Sequence, residues 1–120
     1  MDNSISCIII NTFNDFFVKN RTIPSILETT RQLDKWNIEI IVIDNSGNDD
    51  FKKDNTHLTN KNIRIVKSEP YHLPKAFNRG VKEAKSKYIA IFHDDCEILE
   101  DNWVPLMTEP LNDMVYATGT

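Results

Sequence analysis

Short apolar runs that alternate with segments of helical periodicity constrain the fold of this chain more than any other feature. The runs are rich in β-branched residues, are too short for helices, and are bounded by polar turn residues. A run of this kind is typical of a strand that is buried on both faces. We therefore predict four strands, at Ile5–Ile10, Ile38–Ile43, Ile63–Val66 and Tyr88–Phe92, of which the third is the weakest.

Helices are predicted between these strands. In Thr22–Trp36 the apolar residues fall three or four apart, Thr22 is able to cap the helix, and Pro24 lies in its first turn. Leu73–Ala84 has the same periodicity on one face. The remaining elements are shorter: a helix within 49–61, a helix at Asp101–Met107 with its own capping acid, and a fifth strand at Met114–Ala117.

Strands that alternate with helices predict an α/β fold, in which a mostly parallel sheet is flanked by helices. With 120 residues, the chain is expected to be a single domain over 1–120. In sheets of this type, ligands bind outside the carboxyl ends of the strands. The residues that follow each strand are therefore the first candidates for a functional site.

Charge and composition limit which molecules and which cellular location are expected for this chain. The net charge is −4 and the basic residues are scattered, so neither nucleic acid nor an anionic membrane surface is an expected partner. Cys7 and Cys96 lie in or beside apolar runs without metal-ligand spacing, and we expect reduced thiols rather than a disulfide. No signal peptide or membrane span is predicted, which gives a cytoplasmic location as the expectation.

Polar and acidic residues follow three of the predicted strands. Asn11, Thr12 and Phe13 follow the first, Asp44 and Asn45 the second, and His93, Asp94 and Asp95 the fourth. Together they are able to hold a planar base, a sugar diol and a metal-bridged diphosphate. Each also has a structural interpretation, as a turn former, a helix cap or a packed ring.

The adjacent acids Asp94 and Asp95 are the strongest of these signals, because like charges side by side repel unless a cation, a donor or water relieves them. If the segment stays extended, His93 and Asp95 project to one side and Asp94 to the other. Mg²⁺ or Mn²⁺ suits carboxylate oxygens combined with substrate phosphates. With only three glycines, the chain contains neither a Walker-type loop nor a three-glycine dinucleotide motif.

Four stretches, taken in order, resemble the amino-terminal half of the family 2 glycosyltransferases, inverting nucleotide-sugar enzymes of the GT-A fold. The likeness runs from about Ser6 to Val104, and order and spacing together carry it. The stretches are CIIINTFND, IEIIVIDNSGND, LPKAFNRGVKEAKSKYIAIFHDDCEIL and EDNWV. The resemblance implies a Rossmann-like fold that binds a nucleoside-diphosphate sugar, with a UDP-sugar as the expected donor and a hydroxyl group as the acceptor.

The resemblance also implies roles for the residues that bind the base. Thr12 and Phe13 stand where the family has a threonine and an aromatic residue that line the base pocket. Asp44 stands where a carboxylate accepts a hydrogen bond from the ring N–H of uracil or a similar base. Asn45, next to it, belongs to the same predicted nucleotide-binding set.

At the phosphate end, His93-Asp94-Asp95 occupies the Asp-x-Asp triplet of the family. By this likeness, Asp94 contacts the ribose and Asp95 binds Mn²⁺ or Mg²⁺ on the diphosphate, with His93 as a further candidate metal ligand. Asn78 and Gly80 match an Asn-x-Gly in the helix before this strand, which places Asn78 among the nucleotide-binding residues. The histidine departs from the family pattern and makes the triplet less negative.

The resemblance covers the donor half of the family's domain. The general base and most of the acceptor site belong to the second half of that domain, so we expect no general base in this chain. The chain is then either a truncated piece of such an enzyme or a naturally short member of the family. Two other hypotheses remain: a binding module without catalysis, and a receiver-like signalling domain. Apolar surface at Val115–Ala117 is a possible contact between two copies of the chain.

Overall fold

The computed structural model describes residues 3–12, 15–47, 62–70 and 72–111. The predicted helix within 49–61, the predicted fifth strand at Met114–Ala117 and the possible contact surface at Val115–Ala117 lie outside them. The strands are β1 (Ser4–Asn11), β2 (Asn37–Asp44), β3 (Ile63–Lys67) and β4 (Tyr88–His93). A π-helical turn (Val18–Thr22) precedes α1 (Ile23–Thr30), and the later helices are α2 (Leu73–Glu83) and α3 (Trp103–Thr108).

The four strands form one sheet in the order β3-β2-β1-β4, and every neighbouring pair is parallel. The prediction of a parallel α/β sheet flanked by helices is therefore confirmed. Asp44 on β2 pairs in register with Asn11 on one side and with Lys67 on the other, and Ile10 pairs with His93. Because the strands are parallel and in register at their ends, their last residues share one edge of the sheet.

Helices cover the two faces of the sheet, and each face has its own apolar cluster. Alternate residues of each strand point to opposite faces, which is why every position of β1 is buried. The face covered by α1 and α3 contains Ile5, Cys7, Ile9, Val18, Ile23, Ile26, Ile40, Val42, Trp103 and Val104. The face covered by α2 contains Ile8, Ile10, Ile41, Ile43 and Ala76.

Gly80 allows α2 to approach the sheet closely. A Cβ atom at this position would lie 2.6 Å from Cγ2 of Ile8 and 3.4 Å from Cγ1 of Ile43. Carbon atoms in ordinary contact are about 3.5–4.0 Å apart, so only glycine fits between the helix and the strands without displacement. The close contact helps to hold Phe77, one turn earlier on α2, near the ring of His93 at the end of β4.

The helix predicted over Thr22–Trp36 is shorter than expected, because α1 ends at Thr30. Beyond it, successive turns with i→i+3 hydrogen bonds, such as Leu33 N–H to the Thr30 carbonyl at 3.0 Å, keep the apolar residues three apart. Leu33 and Trp36 therefore still pack against the core, although they are not helical. The periodicity therefore correctly predicted that Leu33 and Trp36 pack against the core, but it overestimated the length of the helix.

Two predicted caps are also wrong. The Thr22 hydroxyl makes no capping hydrogen bond and instead donates to the Cys96 carbonyl at 2.6 Å. The last helix begins at Trp103, its cap position is Asn102 rather than Asp101, and no side chain caps it. Pro24, in contrast, lies in the first turn of α1 as predicted.

Hydrogen bonds to α1 hold the chain that follows β4. Besides the bond from Thr22, the Ile98 N–H donates to Ser25 Oγ at 3.0 Å, and Trp103 Nε1 donates to Thr29 Oγ1 at 2.9 Å. The segment that carries the two adjacent acids is thus fixed by β4 at its start and by α1 further along. Among the described residues, no helix combines the length and the apolar character needed to cross a membrane.

Both cysteines are thiols in this structure, Cys7 buried in β1 and Cys96 partly exposed after β4. Burial raises the pKa of the Cys7 thiol to about 12, and the nearby Glu39 carboxylate adds to the shift. Cys7 is therefore protonated at neutral pH and behaves as a small apolar side chain of the core.

Candidate functional site

Polar side chains from all four strands form a row along the carboxyl edge of the sheet. Lys67 at the end of β3 contacts Asp44 at the end of β2, and Asp44 accepts a hydrogen bond from Asn11 at the end of β1. Thr12, the next residue, binds Asp94, which follows β4. Three strand spacings of about 4.8 Å make this row roughly 14 Å long. We call these five residues the carboxyl-edge row.

Asp44 is the most buried acid of the row, with a side chain that is 0% exposed. Its Oδ1 accepts from Asn11 Nδ2 at 3.3 Å and from the N–H and hydroxyl of Ser46, at 3.3 and 2.6 Å. Its Oδ2 lies 3.0 Å from Lys67 Nζ. Burial opposes ionisation of this carboxyl, but the hydrogen bonds from Ser46, Lys67 and Asn11 outweigh it and hold the pKa of Asp44 below its usual value.

Two amide oxygens near Asp44 have no hydrogen-bond partner among the described residues. They are Oδ1 of Asn11 and Oδ1 of Asn45, whose residues are 0% and 3% exposed. The backbone joins the two residues, because Asn45 N–H donates to the Asn11 carbonyl at 2.8 Å. Buried acceptors of this kind are usually satisfied by water or by a ligand, so the row retains capacity to accept hydrogen bonds.

Thr12 and Asp94 connect the end of β1 to the loop after β4. Oδ2 of Asp94 accepts from the Thr12 N–H at 2.9 Å and from the Thr12 hydroxyl at 3.0 Å. These two hydrogen bonds stabilise the negative charge of Asp94. They explain in part why the fold tolerates two acids, Asp94 and Asp95, side by side. Within the described residues, both hydrogen bonds to Asp94 fall on Oδ2, which leaves Oδ1 able to accept.

The predicted extended geometry of the triplet is wrong. β4 ends at His93, and Asp94 and Asp95 lie in a turn that the Cys96 N–H closes on the His93 carbonyl at 3.4 Å. The exposed ring of His93 meets Phe77 edge to face, with centroids 6.0 Å apart. Asp95 is exposed, and its Oδ1 lies 3.9 Å from Sγ of Cys96.

The other two predicted site residues lie apart from the row or outside the description. Asn78 is exposed on α2, next to Phe77. Phe13 lies outside the described residues. In the part of the chain that the structure describes, no three His, Cys, Asp or Glu side chains are grouped to hold a metal ion.

Two members of the row were not among the residues predicted to form the site. Lys67 directly follows the predicted third strand, so the signal that selected Asp44 also applied to it. Asn11 was noted after the first strand but received no role. In both cases the partner is Asp44, which is far away in sequence and becomes a neighbour only through the strand register.

A cavity of about 290 Å³ lies at the opposite edge of the sheet, where β2 and β3 begin. Its lining includes Leu27, Trp36, Asn37 and Ile63, and it shares no residue with the carboxyl-edge row. The row lies at the carboxyl edge, where parallel α/β sheets bind ligands, whereas this cavity lies at the opposite edge.

The parallel α/β sheet and the polar row at its carboxyl edge are typical of Rossmann-like domains, which bind ligands at the ends of their strands. The family model described as glycosyl transferase family 2 matches residues 7–119. The chain therefore belongs to glycosyl transferase family 2, as the sequence resemblance implied, and its sheet is consistent with the GT-A fold. None of the curated proteins matches it. Family membership supports glycosyl transfer as the general activity and argues against a receiver-like domain.

Proposed function

We propose that this chain binds a nucleoside-diphosphate sugar along the carboxyl-edge row and serves as the donor-binding domain of a glycosyltransferase. The observation that carries the proposal is the continuity of the row across all four strands, from Lys67 through Asp44, Asn11 and Thr12 to Asp94. A row of roughly 14 Å suits a base, a ribose and a diphosphate laid end to end. A single-point contact with a small anion would not need side chains from four strands.

The base occupies the end of the row at β1 and β2 in this proposal. Asp44 Oδ2 accepts from a ring N–H of the base, and the unsatisfied amide oxygens of Asn11 and Asn45 accept from further donors or bridging water. Thr12 lines the pocket, and the role of Phe13 stays a prediction from the sequence resemblance. Asn78 lies on the neighbouring helix, where it contacts the nucleotide from the α2 side.

The ribose and diphosphate occupy the end of the row at β4. Asp94 uses the oxygen that Thr12 does not occupy to accept from a ribose hydroxyl. Asp95, exposed beside it, would supply a carboxylate to Mn²⁺ or Mg²⁺, and His93 would be the second ligand. The absence of a three-residue cluster in the described part fits a cation that takes most of its ligands from phosphate oxygens and water.

The reaction proposed for the family domain is a displacement at the anomeric carbon. The acceptor hydroxyl oxygen forms the new bond, the bond to the diphosphate oxygen breaks, and the hydroxyl proton passes to a general base. A divalent cation held by Asp95 would supply positive charge that offsets the charge on the departing diphosphate. A single displacement inverts the anomeric carbon. We assign no residue of this chain as the general base, and the cytoplasmic location and single-domain organisation stay predictions.

Titration calorimetry with UDP, GDP and dTDP, with and without Mn²⁺, tests the proposal. We expect at least one of the three to bind, and Mn²⁺ to tighten that binding. Asp95→Ala should abolish the effect of Mn²⁺ and leave the fold intact, because the side chain is exposed. Asp101→Ala is the matched control, since Asp101 is also an exposed acid after β4 but lies further along the chain, next to α3 rather than beside Asp94.

Two outcomes would contradict the proposal. If none of the three nucleotides binds under either condition, the row is not a nucleotide site. If Asp95→Ala and Asp101→Ala show the same response to Mn²⁺ as the unmodified chain, the assignment of Asp95 to the metal is wrong.

A further inference from the structure

Lys67 and Asp44 form an ion pair in which one partner is buried and the other is accessible. The side chain of Asp44 is 0% exposed, whereas that of Lys67 is 41% exposed, and Nζ lies 3.0 Å from Oδ2. Their positions are fixed because the two residues pair in register on neighbouring strands, with Ser68 N–H donating to the Asp44 carbonyl at 3.1 Å. A ligand that approaches Asp44 from solvent therefore meets the ammonium group of Lys67.

The two oxygens of Asp44 differ in what they are able to accept. Oδ1 already receives three hydrogen bonds, from Asn11 and Ser46, which exhausts its lone pairs. Among the described residues, Lys67 is the polar contact of Oδ2. Any further donor must therefore approach Oδ2, at the side where the ammonium group lies.

A base that donates to Oδ2 has to accommodate the ammonium group as well. Moving an ammonium group off a buried carboxylate without a new acceptor is costly, because it loses a charge-assisted hydrogen bond. A carbonyl oxygen beside the base N–H supplies that acceptor. The carboxylate then accepts from the ring N–H while the ammonium donates to the neighbouring carbonyl, and both charges stay paired.

This requirement separates the common bases into two groups. Uracil and thymine have a ring N–H between two carbonyls, and guanine has a ring N–H beside one carbonyl. Cytosine and adenine have the reverse pattern, a ring nitrogen that accepts beside an amino group that donates. Against them the carboxylate would face a lone pair and the ammonium would face N–H groups, which is repulsive at both positions.

We propose that Lys67 is a specificity-determining residue of the nucleotide site, which selects, together with Asp44, nucleotides whose base has a ring N–H beside a carbonyl. The inference rests on the proposed nucleotide site and narrows its substrate class to uridine, thymidine and guanosine diphospho-sugars. A two-point contact of this type discriminates about 10- to 100-fold between matching and reversed bases.

The test compares UDP with CDP, which share ribose and diphosphate and differ only in the base. In the presence of Mn²⁺, calorimetry should give an affinity for UDP about 10- to 100-fold higher than for CDP. Lys67→Met should lower that ratio about tenfold, mainly by weakening UDP binding. Lys82→Met, an exposed lysine of α2 outside the row, should leave the ratio unchanged.

The affinity ratio is the informative readout because partial unfolding of a variant lowers the active fraction for both nucleotides equally. Lys67→Arg provides a second variant that keeps the positive charge beside Asp44, and it should retain a preference for UDP. If Lys67 only covers Asp44, Lys67→Met would tighten UDP binding or leave the ratio unchanged, and the inference would be overturned.

Failure of this inference is distinguishable from failure of the proposed function. If the unmodified chain binds UDP and CDP equally well, the nucleotide site stands and the role of Lys67 is wrong. If it binds no nucleoside diphosphate, both proposals fall together.

Discussion

Replacing Gly80 with alanine should destabilise the protein, although alanine is the better helix former. The added methyl carbon would lie 2.6 Å from Cγ2 of Ile8, about 1 Å closer than an ordinary carbon contact. Ile8 is 0% exposed in β1, inside the sheet, so its side chain has little room to move. Such overpacking costs about 1–3 kcal/mol, while the gain in helix propensity is about 0.8–1.0 kcal/mol. The net expectation is a loss of about 1 kcal/mol and at most about 2 kcal/mol.

Urea unfolding, followed by the fluorescence of Trp36 and Trp103, measures this change in the free energy of unfolding. A second variant, Ile8→Ala, removes the atom that the new methyl group meets. In that background Gly80→Ala should be neutral or stabilising, with a coupling energy of about 1–3 kcal/mol between the two positions. The reasoning is refuted if Gly80→Ala stabilises the unmodified protein, or if its cost is the same in both backgrounds.

Three further predictions concern single contacts. Asp94→Ala should raise the hydrogen-exchange rate of the Thr12 amide about tenfold, because the carboxylate that accepts from it is lost; an unchanged rate would contradict that bond. In the folded protein iodoacetamide should modify Cys96 and spare the buried Cys7, with both reacting in urea; rapid modification of Cys7 would contradict its burial. Because the pKa of Asp44 is held below its usual 3.8, its contribution to stability is present above that pH and is lost as the pH falls through the folded-state value. Asp44→Asn should therefore flatten the acid limb of the curve of unfolding free energy against pH, and an unchanged limb would contradict this.

The apolar runs located all four strands, and each strand extends one residue beyond its run at the carboxyl end. The residues added there are polar although the backbone ladder continues through them, and two of them, Asn11 and Asp44, are 0% exposed. They are Asn11, Asp44, Lys67 and His93, three of which belong to the carboxyl-edge row. Hydrophobic periodicity therefore marks where the core ends, and the row begins at that point.

The sequence alone could not predict which residues of the row bind each other. The bonds from Thr12 to Asp94 and from Lys67 to Asp44 join residues 82 and 23 positions apart, and strand order decides which ends become neighbours. Local patterns are compatible with several orders of four parallel strands. The end of α1 was mispredicted for a related reason, since turns after Thr30 reproduce a spacing of three without a helix.

The central claim is that the carboxyl edge of the sheet binds a nucleotide, and an amide NMR titration with UDP and Mg²⁺ tests it most directly. We expect the largest shift changes at Thr12, Asn45, Lys67 and Asp94, with little change where the strands begin. Changes confined to the cavity beside Trp36 at the opposite edge, or no changes at saturating UDP, would contradict the account.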